Sequence, residues 1–275
     1  MAELPLEVRL SGQEADFHEL PAYDGFNSMA GISLAATIVT HYAATGNLRR
    51  RGQFETRSRI RFKESRRGSI IFGLAIELAS NPYILGATGG VAVSVAGSAV
   101  YDLLKYVIQK NIGREHAPQT KALENLLESR EGDVEAVTAA IEPALRQGHS
   151  VIGTGASTAE ITGKNQDPIA TFDRNTKDYI SRSIEDETII EKDVSIAAFN
   201  ANSGHGRLFD DEHGRTVSFY IPEHAQSALK SVIGWGLSEY TRGTGRRIST
   251  KFTRILALDG RPKKYIILDA EIPQH

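Results

Sequence analysis

The chain contains no cysteine, which excludes disulfide bonds, thiolate catalysis and metal sites built on cysteine ligands. It also lacks the HExxH, Walker, nucleophile-elbow and protein-kinase motifs. No pair of carboxylates has a spacing that singles it out for acid–base chemistry. We therefore predict a protein that is not an enzyme and has no catalytic residue, metal or cofactor.

A signal-peptide pattern is missing as well, because residues 1–20 are mixed and polar throughout. This absence, together with that of cysteine, favours a cytoplasmic location. The 275 residues are 40% apolar and 24% charged, which is ordinary for a globular protein. A chain of this length accommodates two domains, at roughly 150 residues each.

A large net charge is absent too, but the total of −2 hides a segregated distribution. Residues 49–67 carry +7 and residues 242–264 carry another +7, which leaves −16 for the rest of the chain. Much of that negative charge lies in residues 115–142 and 173–193. Either the basic surfaces bind an anionic partner, or acidic and basic surfaces face each other within or between subunits.

Charged and apolar residues alternate in the first basic segment. Successive side chains of a β-strand point to opposite faces. We therefore predict an extended strand whose cationic face contacts phosphate groups and whose other face enters a core. The cationic face comprises Arg57, Arg59, Arg61 and Lys63, and the apolar face comprises Phe54, Ile60 and Phe62.

The pattern along the chain predicts an α+β fold with two domains. Residues 1–147 form a β-α-β-β-α-α-α domain that contains the cationic strand and a helix rich in Gly and Ala. Residues 148–168 are rich in Gly, Ser and Thr and are predicted to be a linker. Residues 169–275 follow the order β-β-β-α-β-β, which is typical of an OB-like barrel, with an SH3-like barrel as the alternative.

Ala198 to Leu208 holds a Phe199-Asn200 pair and a Gly-His-Gly-Arg strand, and the aromatic strand Thr216 to Ile221 follows it. This part of the second domain resembles a cold-shock domain, a family that binds single-stranded nucleic acid by stacking bases on aromatic residues. The resemblance implies a stacking surface formed by His205, Arg207 and Phe219. We predict that the basic residues alongside contact phosphate, namely Arg246, Arg247, Lys251 and Arg254. The two-domain arrangement also resembles a group of bacterial proteins with no assigned activity.

Residues 78–101 contain no charged side chain, and small residues recur there at a spacing of four. Such a helix packs closely against its neighbours. Three interpretations are open for it: a buried core helix, an oligomer interface, or a segment at 86–108 that inserts into a membrane.

The most direct functional interpretation is a non-enzymatic protein that binds a polyanion, such as single-stranded nucleic acid or a nucleotide. Two alternatives belong to other classes. One is a self-assembling adaptor or scaffold that uses charge-complementary surfaces in a homo-oligomer. The other is a membrane-acting effector that uses residues 86–108.

Overall fold

A computed structural model describes residues 2–52, 54, 58–66, 70–78, 83–85, 93–257 and 260–273. Within these residues the fold is α+β, as predicted. The chain divides into two compact units, one formed by Met1–Leu126 and Val137–Ser181, the other by Leu127–Ala136 and Arg182–His275.

The first unit contains a five-stranded antiparallel sheet in the order β2-β3-β1-β4-β5, together with helices. Its strands are β1 (Ala2–Ser11), β2 (Ser58–Arg66), β3 (Ile70–Leu78), β4 (Thr158–Thr162) and β5 (Pro168–Phe172). The helices are α1 (Ala22–Thr45), α2 (Val93–Asn111), α3 (Lys121–Gly148) and α4 (Arg174–Ser181).

One face of this sheet is apolar because the residues of β1 alternate. Leu4, Leu6, Val8 and Leu10 are at most 7% exposed and form part of the core. The intervening residues of β1, from Glu3 to Arg9, are exposed or half-buried on the opposite, charged face. Strand β1 is thus the first strand of the predicted β-α-β-β-α-α-α order, with one face in the core.

Helix α1 ends at Thr45 and is capped by Gly46, whose φ of 73° is the left-handed conformation that glycine favours. Helix α2 is a core helix, since Ala99, Leu103 and Val107 have no exposed surface. Residues 86–92 of the apolar stretch lie outside the described residues. In the part of the chain that the structure describes, no helix is both long and apolar enough to cross a bilayer.

The linker predicted at 148–168 is wrong. Residues 158–162 form β4, which pairs with β1, and Pro168 begins β5, which pairs with β4. These strands have only five residues each, and β4 is joined to the sheet through β1, which is distant in the sequence, so their composition resembles that of a loop. Apart from the segment Leu127–Ala136, the second unit begins at Arg182.

The second unit is a closed five-stranded barrel with the strand order β10-β8-β7-β6-β9. A helix, α5 (Glu223–Thr241), lies between its third and fourth strands in the sequence, which is consistent with the OB-like prediction. Its core includes Ile196, Phe219 and Ile267. The strands are β6 (Ile184–Asn200), β7 (His205–Asp210), β8 (Arg215–Tyr220), β9 (Ile248–Leu256) and β10 (Pro262–Glu271).

Candidate functional site

The cationic strand is β2, and it lies at one edge of the sheet of the first unit. The guanidinium of Arg61 lies 2.8 Å from the carboxylate of Glu77, and the ammonium of Lys63 lies 3.0 Å from that of Glu3. Arg57 lies outside the described residues, and Arg59 is described only by its register opposite Glu77. The two described cations are therefore paired with carboxylates of their own sheet, although each keeps about half of its side chain exposed, 58% and 51% respectively.

Two of the four barrel cations form close ion pairs. Arg254 donates two hydrogen bonds to Asp186, at 3.0 and 2.5 Å, and Arg247 donates two to Asp211. Hydrogen bonds from Thr188 and then from Arg254 lower the pKa of Asp186 to about 2. The acidic strand β6 lies directly beside the basic strand β9, so the barrel satisfies these charges internally.

The other two barrel cations also face carboxylates, at longer distances. The ammonium of Lys251 lies 3.9 Å from Glu191 on the neighbouring strand. Arg246 lies 3.9 Å from Glu239, and its guanidinium carbon lies 5.1 Å from the centre of the Trp235 ring. All four residues predicted to contact phosphate in the barrel thus have an acidic neighbour within the same unit.

The predicted stacking residues do not form an exposed surface. The side chain of Phe219 is fully buried in the barrel core. His205 is 9% exposed, and its ring packs against Tyr220 with their centroids 4.8 Å apart. The prediction of a stacking surface is therefore wrong for these two residues, because alternation along β8 points Phe219 inward together with Val217.

The third stacking candidate, Arg207, is covered by acidic residues of the segment 127–136, which belongs to the barrel unit. Its guanidinium donates to Glu131 at 2.6 Å and lies 3.7 Å from Glu135. Glu135 in turn accepts a 2.5 Å hydrogen bond from Ser218 on β8. Only 15% of the Arg207 side chain is exposed, so its planar group is not presented to a base.

One group of three potential metal ligands occurs in the described part of the chain: Asp210, Glu212 and His213. Asp210 is buried and accepts hydrogen bonds from Tyr265 at 2.6 Å, Lys192 at 3.1 Å and His213 at 2.5 Å. The Lys192 ammonium also lies 3.8 Å from Glu212. A lysine therefore supplies the positive charge that a metal would bring, and this cluster fastens the end of the β7–β8 hairpin.

A surface that the sequence interpretation missed lies on α1. Tyr23 and Phe26 are 81% and 72% exposed, and Leu34 is 36% exposed. With Ala30 between them, these residues recur at helical spacing and form a stripe, here called the outer stripe of α1. The signal was present in the sequence, because Asp24 is the only Asp, Glu, Lys or Arg in this helix of 24 residues.

The other sides of α1 are buried within the first unit. A Cβ added at Gly31 would lie 2.4 Å from backbone atoms of Ala144 and Gly148, so α1 and α3 are in backbone contact there. Ala35, Ile38 and Val39 are at most 1% exposed. A helix that is apolar on all sides is normally buried on all sides, and α1 departs from that rule along its outer stripe.

Two family models match the chain in tandem. Residues 6–181 match the model of a domain of unknown function, DUF7946, and residues 188–271 match that of a family of unknown function, DUF7947. The first match spans more than half of the chain, and the chain belongs to the DUF7946 family. No curated protein and no solved structure matches it. The pair of matches fits the resemblance to two-domain proteins without an assigned activity.

Proposed function

We propose that this DUF7946 protein is a non-enzymatic assembly protein whose copies pair through the outer stripe of α1. The observation that carries the proposal is the exposure of Tyr23 and Phe26 on a helix with one charged residue. Contiguous apolar surface of this kind marks sites of interaction, and tyrosine and other aromatic residues are enriched at the centres of protein interfaces.

The charges favour assembly over polyanion binding. Arg61, Lys63 and Arg254 are each paired with a carboxylate of their own unit. At Arg254, whose side chain is 29% exposed, a nucleic acid would have to compete with Asp186, and the predicted stacking residues offer it no exposed ring. The polyanion function stays a prediction, and the described contacts give it no support.

A second copy of the chain suits the outer stripe of α1 because the stripe carries no charge. A partner recognised by charge complementarity would need a charged counterpart, which the stripe does not offer. Two identical stripes can form an isologous contact, in which both copies use the same surface patch and every contact occurs twice, related by a two-fold axis. Ala30, midway between Phe26 and Leu34, lets two helices approach closely where they cross.

The size of the stripe suits a small interface. An aromatic side chain buries about 150–250 Å² in full. Tyr23 and Phe26 are 81% and 72% exposed, so the four side chains of two copies contribute roughly 450–750 Å² between them. Leu34 and Ala30 add to this and bring the total toward the roughly 1,000 Å² at which specific interfaces begin.

A membrane surface is the competing occupant. Helices that lie in a membrane interface carry Lys or Arg beside their apolar face, and α1 carries neither. The outer stripe therefore lacks the charge that would draw it to anionic lipid.

The test replaces Tyr23 and Phe26 together with Glu and compares the variant with wild type by sedimentation velocity and light scattering. We expect wild type to form a dimer at micromolar concentration and the double variant to be monomeric, because four carboxylates would be brought together in the interface. Circular dichroism should show the same thermal stability for the monomer fold, since both side chains are exposed.

The matched control is Ile189→Glu, which places the same charge at a residue of β6 that is 62% exposed. This control should remain dimeric. A monomeric wild type, or a double variant that still dimerises, would disprove the proposal. Wild type that floats with liposomes and loses this property in the double variant would assign the stripe to a membrane instead.

A further inference from the structure

Strand β2 presents an unpaired side at the edge of its sheet. It pairs with β3 over Ser58 to Arg66, and no strand in the described ranges pairs with its other side. The N–H and C=O groups on that side form a ready template for a further strand. Such an added strand would gain main-chain hydrogen bonds whatever its sequence, and the side chains of β2 would decide which sequence fits.

The two faces of β2 differ in character. Arg61 and Lys63 lie on the charged face of the sheet, and about half of each side chain is exposed. Phe62 points to the other face and is 64% exposed, while the neighbouring Ile60 is half-buried. An added strand would therefore meet cations on one face and an exposed aromatic ring on the other.

A second copy of β2 does not fit this edge. In an antiparallel pair, residues directly opposite each other point to the same face. If the cationic faces of two copies coincide, Arg61 and Lys63 of one copy meet the same cations of the other, which is destabilising. If the register shifts by one residue, Arg61 of one copy lies opposite an apolar residue of the other. The cations of the added copy then lie on the apolar face of the first copy's sheet.

The existing ion pairs leave room for a partner. Glu77 lies on β3 and Glu3 on β1, so both carboxylates approach the cations from the side of the sheet. About half of each cation's side chain stays exposed to solvent, which screens these pairs, so the cations remain accessible from the open side of the strand. A carboxylate on an added strand would approach the same cations from the open side, at the spacing of about 5 Å that separates cross-strand neighbours.

We propose that the β2 edge binds an extended acidic segment of another protein, in which Asp or Glu alternates with apolar residues. The acidic residues face Arg61 and Lys63, and the apolar residues cover Phe62. This site goes beyond the proposed pairing through α1 and involves different residues.

The test uses a fluorescent peptide of sequence Glu-Val-Glu-Ile-Glu-Val-Glu and the full chain, with fluorescence anisotropy as the readout. We expect saturable binding that weakens as salt is added. A peptide of the same composition with its acidic and apolar residues in two separate blocks should bind at least about tenfold more weakly, because only one of its faces can match. N-methylation of alternate amides on the alternating peptide should abolish binding, because it removes the main-chain donors.

The variant Arg61→Glu/Lys63→Glu should lose the acidic peptide and gain binding to its counterpart with Lys at every Glu position. The matched control is Arg9→Glu, which makes the same change on the same face of the sheet but on a central strand. This control should bind the acidic peptide as wild type does. Gain of the basic peptide also shows that the reversed variant is folded.

Equal binding of the alternating and block peptides would overturn the proposal, since simple charge attraction would then suffice. So would binding that survives N-methylation, or absence of peptide binding. A single-stranded oligonucleotide that binds through Arg61 and Lys63 while the peptide does not would assign the edge to nucleic acid. These outcomes do not depend on α1, and the Tyr23/Phe26 variant should bind the peptide normally.

Discussion

Asp210 shows how this protein keeps a carboxylate charged inside a barrel. Burial alone would raise its pKa, but hydrogen bonds from Tyr265, Lys192 and His213 together lower it to about 2. Burial and the neighbouring Asp210 carboxylate both disfavour the phenolate form of Tyr265, and they therefore raise the pKa of this residue. Because Asp210 is only 2% exposed, water cannot take its place as the acceptor of these three hydrogen bonds.

We expect Asp210→Asn to lower the free energy of unfolding by about 1–3 kcal/mol, because a buried donor is left without its acceptor. The fluorescence of Trp235, the only tryptophan, can follow urea unfolding of the barrel unit. Asp211→Asn, at the exposed neighbour that pairs with Arg247, is the control and should have a much smaller effect.

The same residue predicts the pH dependence of stability. An aspartate with a lowered pKa contributes stability above its unfolded value of about 4 and loses it as the pH falls. Wild type should therefore lose stability between about pH 4 and pH 2 more steeply than Asp210→Asn does. Equal slopes for the two proteins would contradict this assignment.

At the scale of elements, glycine permits the contact between α1 and α3. Gly31 faces backbone atoms of α3 at a distance that no Cβ tolerates, whereas Gly234 in α5 has open space around it. The same substitution should therefore have opposite effects in two helices. Gly236, two residues further along α5, differs from Gly234 because it packs closely against Ile196 and Ile248 of the barrel strands.

We expect Gly31→Ala to destabilise the protein by about 1–3 kcal/mol, because the helices must separate to admit the methyl group. Gly234→Ala should stabilise it by about 0.5–1 kcal/mol, because alanine restricts the unfolded chain and favours helix. Thermal unfolding followed by circular dichroism measures both. A shift of the same sign in the two variants would contradict the packing described for α1.

At the scale of the whole molecule, the segregated charges of the sequence are brought together within each unit. Arg254 forms an ion pair with Asp186 on the neighbouring strand of the barrel, and Arg61 forms one with Glu77 on the neighbouring strand of the first unit's sheet. We therefore expect the full chain to bind a single-stranded oligonucleotide only weakly at physiological salt, near or above the non-specific range of about 10⁻⁶–10⁻⁴ M. Tight binding, measured by anisotropy, would restore the polyanion function.

The periodicity of the sequence predicted the order of strands and helix along the barrel segment and the existence of β2. The sequence also indicates that Phe219 points inward, because the apolar residues Val217, Phe219 and Ile221 occupy every second position of the strand. It did not contain the pairing of Arg61 with Glu77, because a partner on another strand depends on register. The same limit hid β4, whose five residues join the sheet by pairing with the distant strand β1.

The closed barrel has a consequence for synthesis of the chain. Strand β10 pairs in parallel with β8 and antiparallel with β9, and so it completes the ring. A nascent chain on the ribosome that has not yet made β10 leaves both neighbours open to the wrong partners. A chain truncated before Pro262 should therefore aggregate more readily than the full chain, because one side of β8 and one side of β9 would be left unpaired.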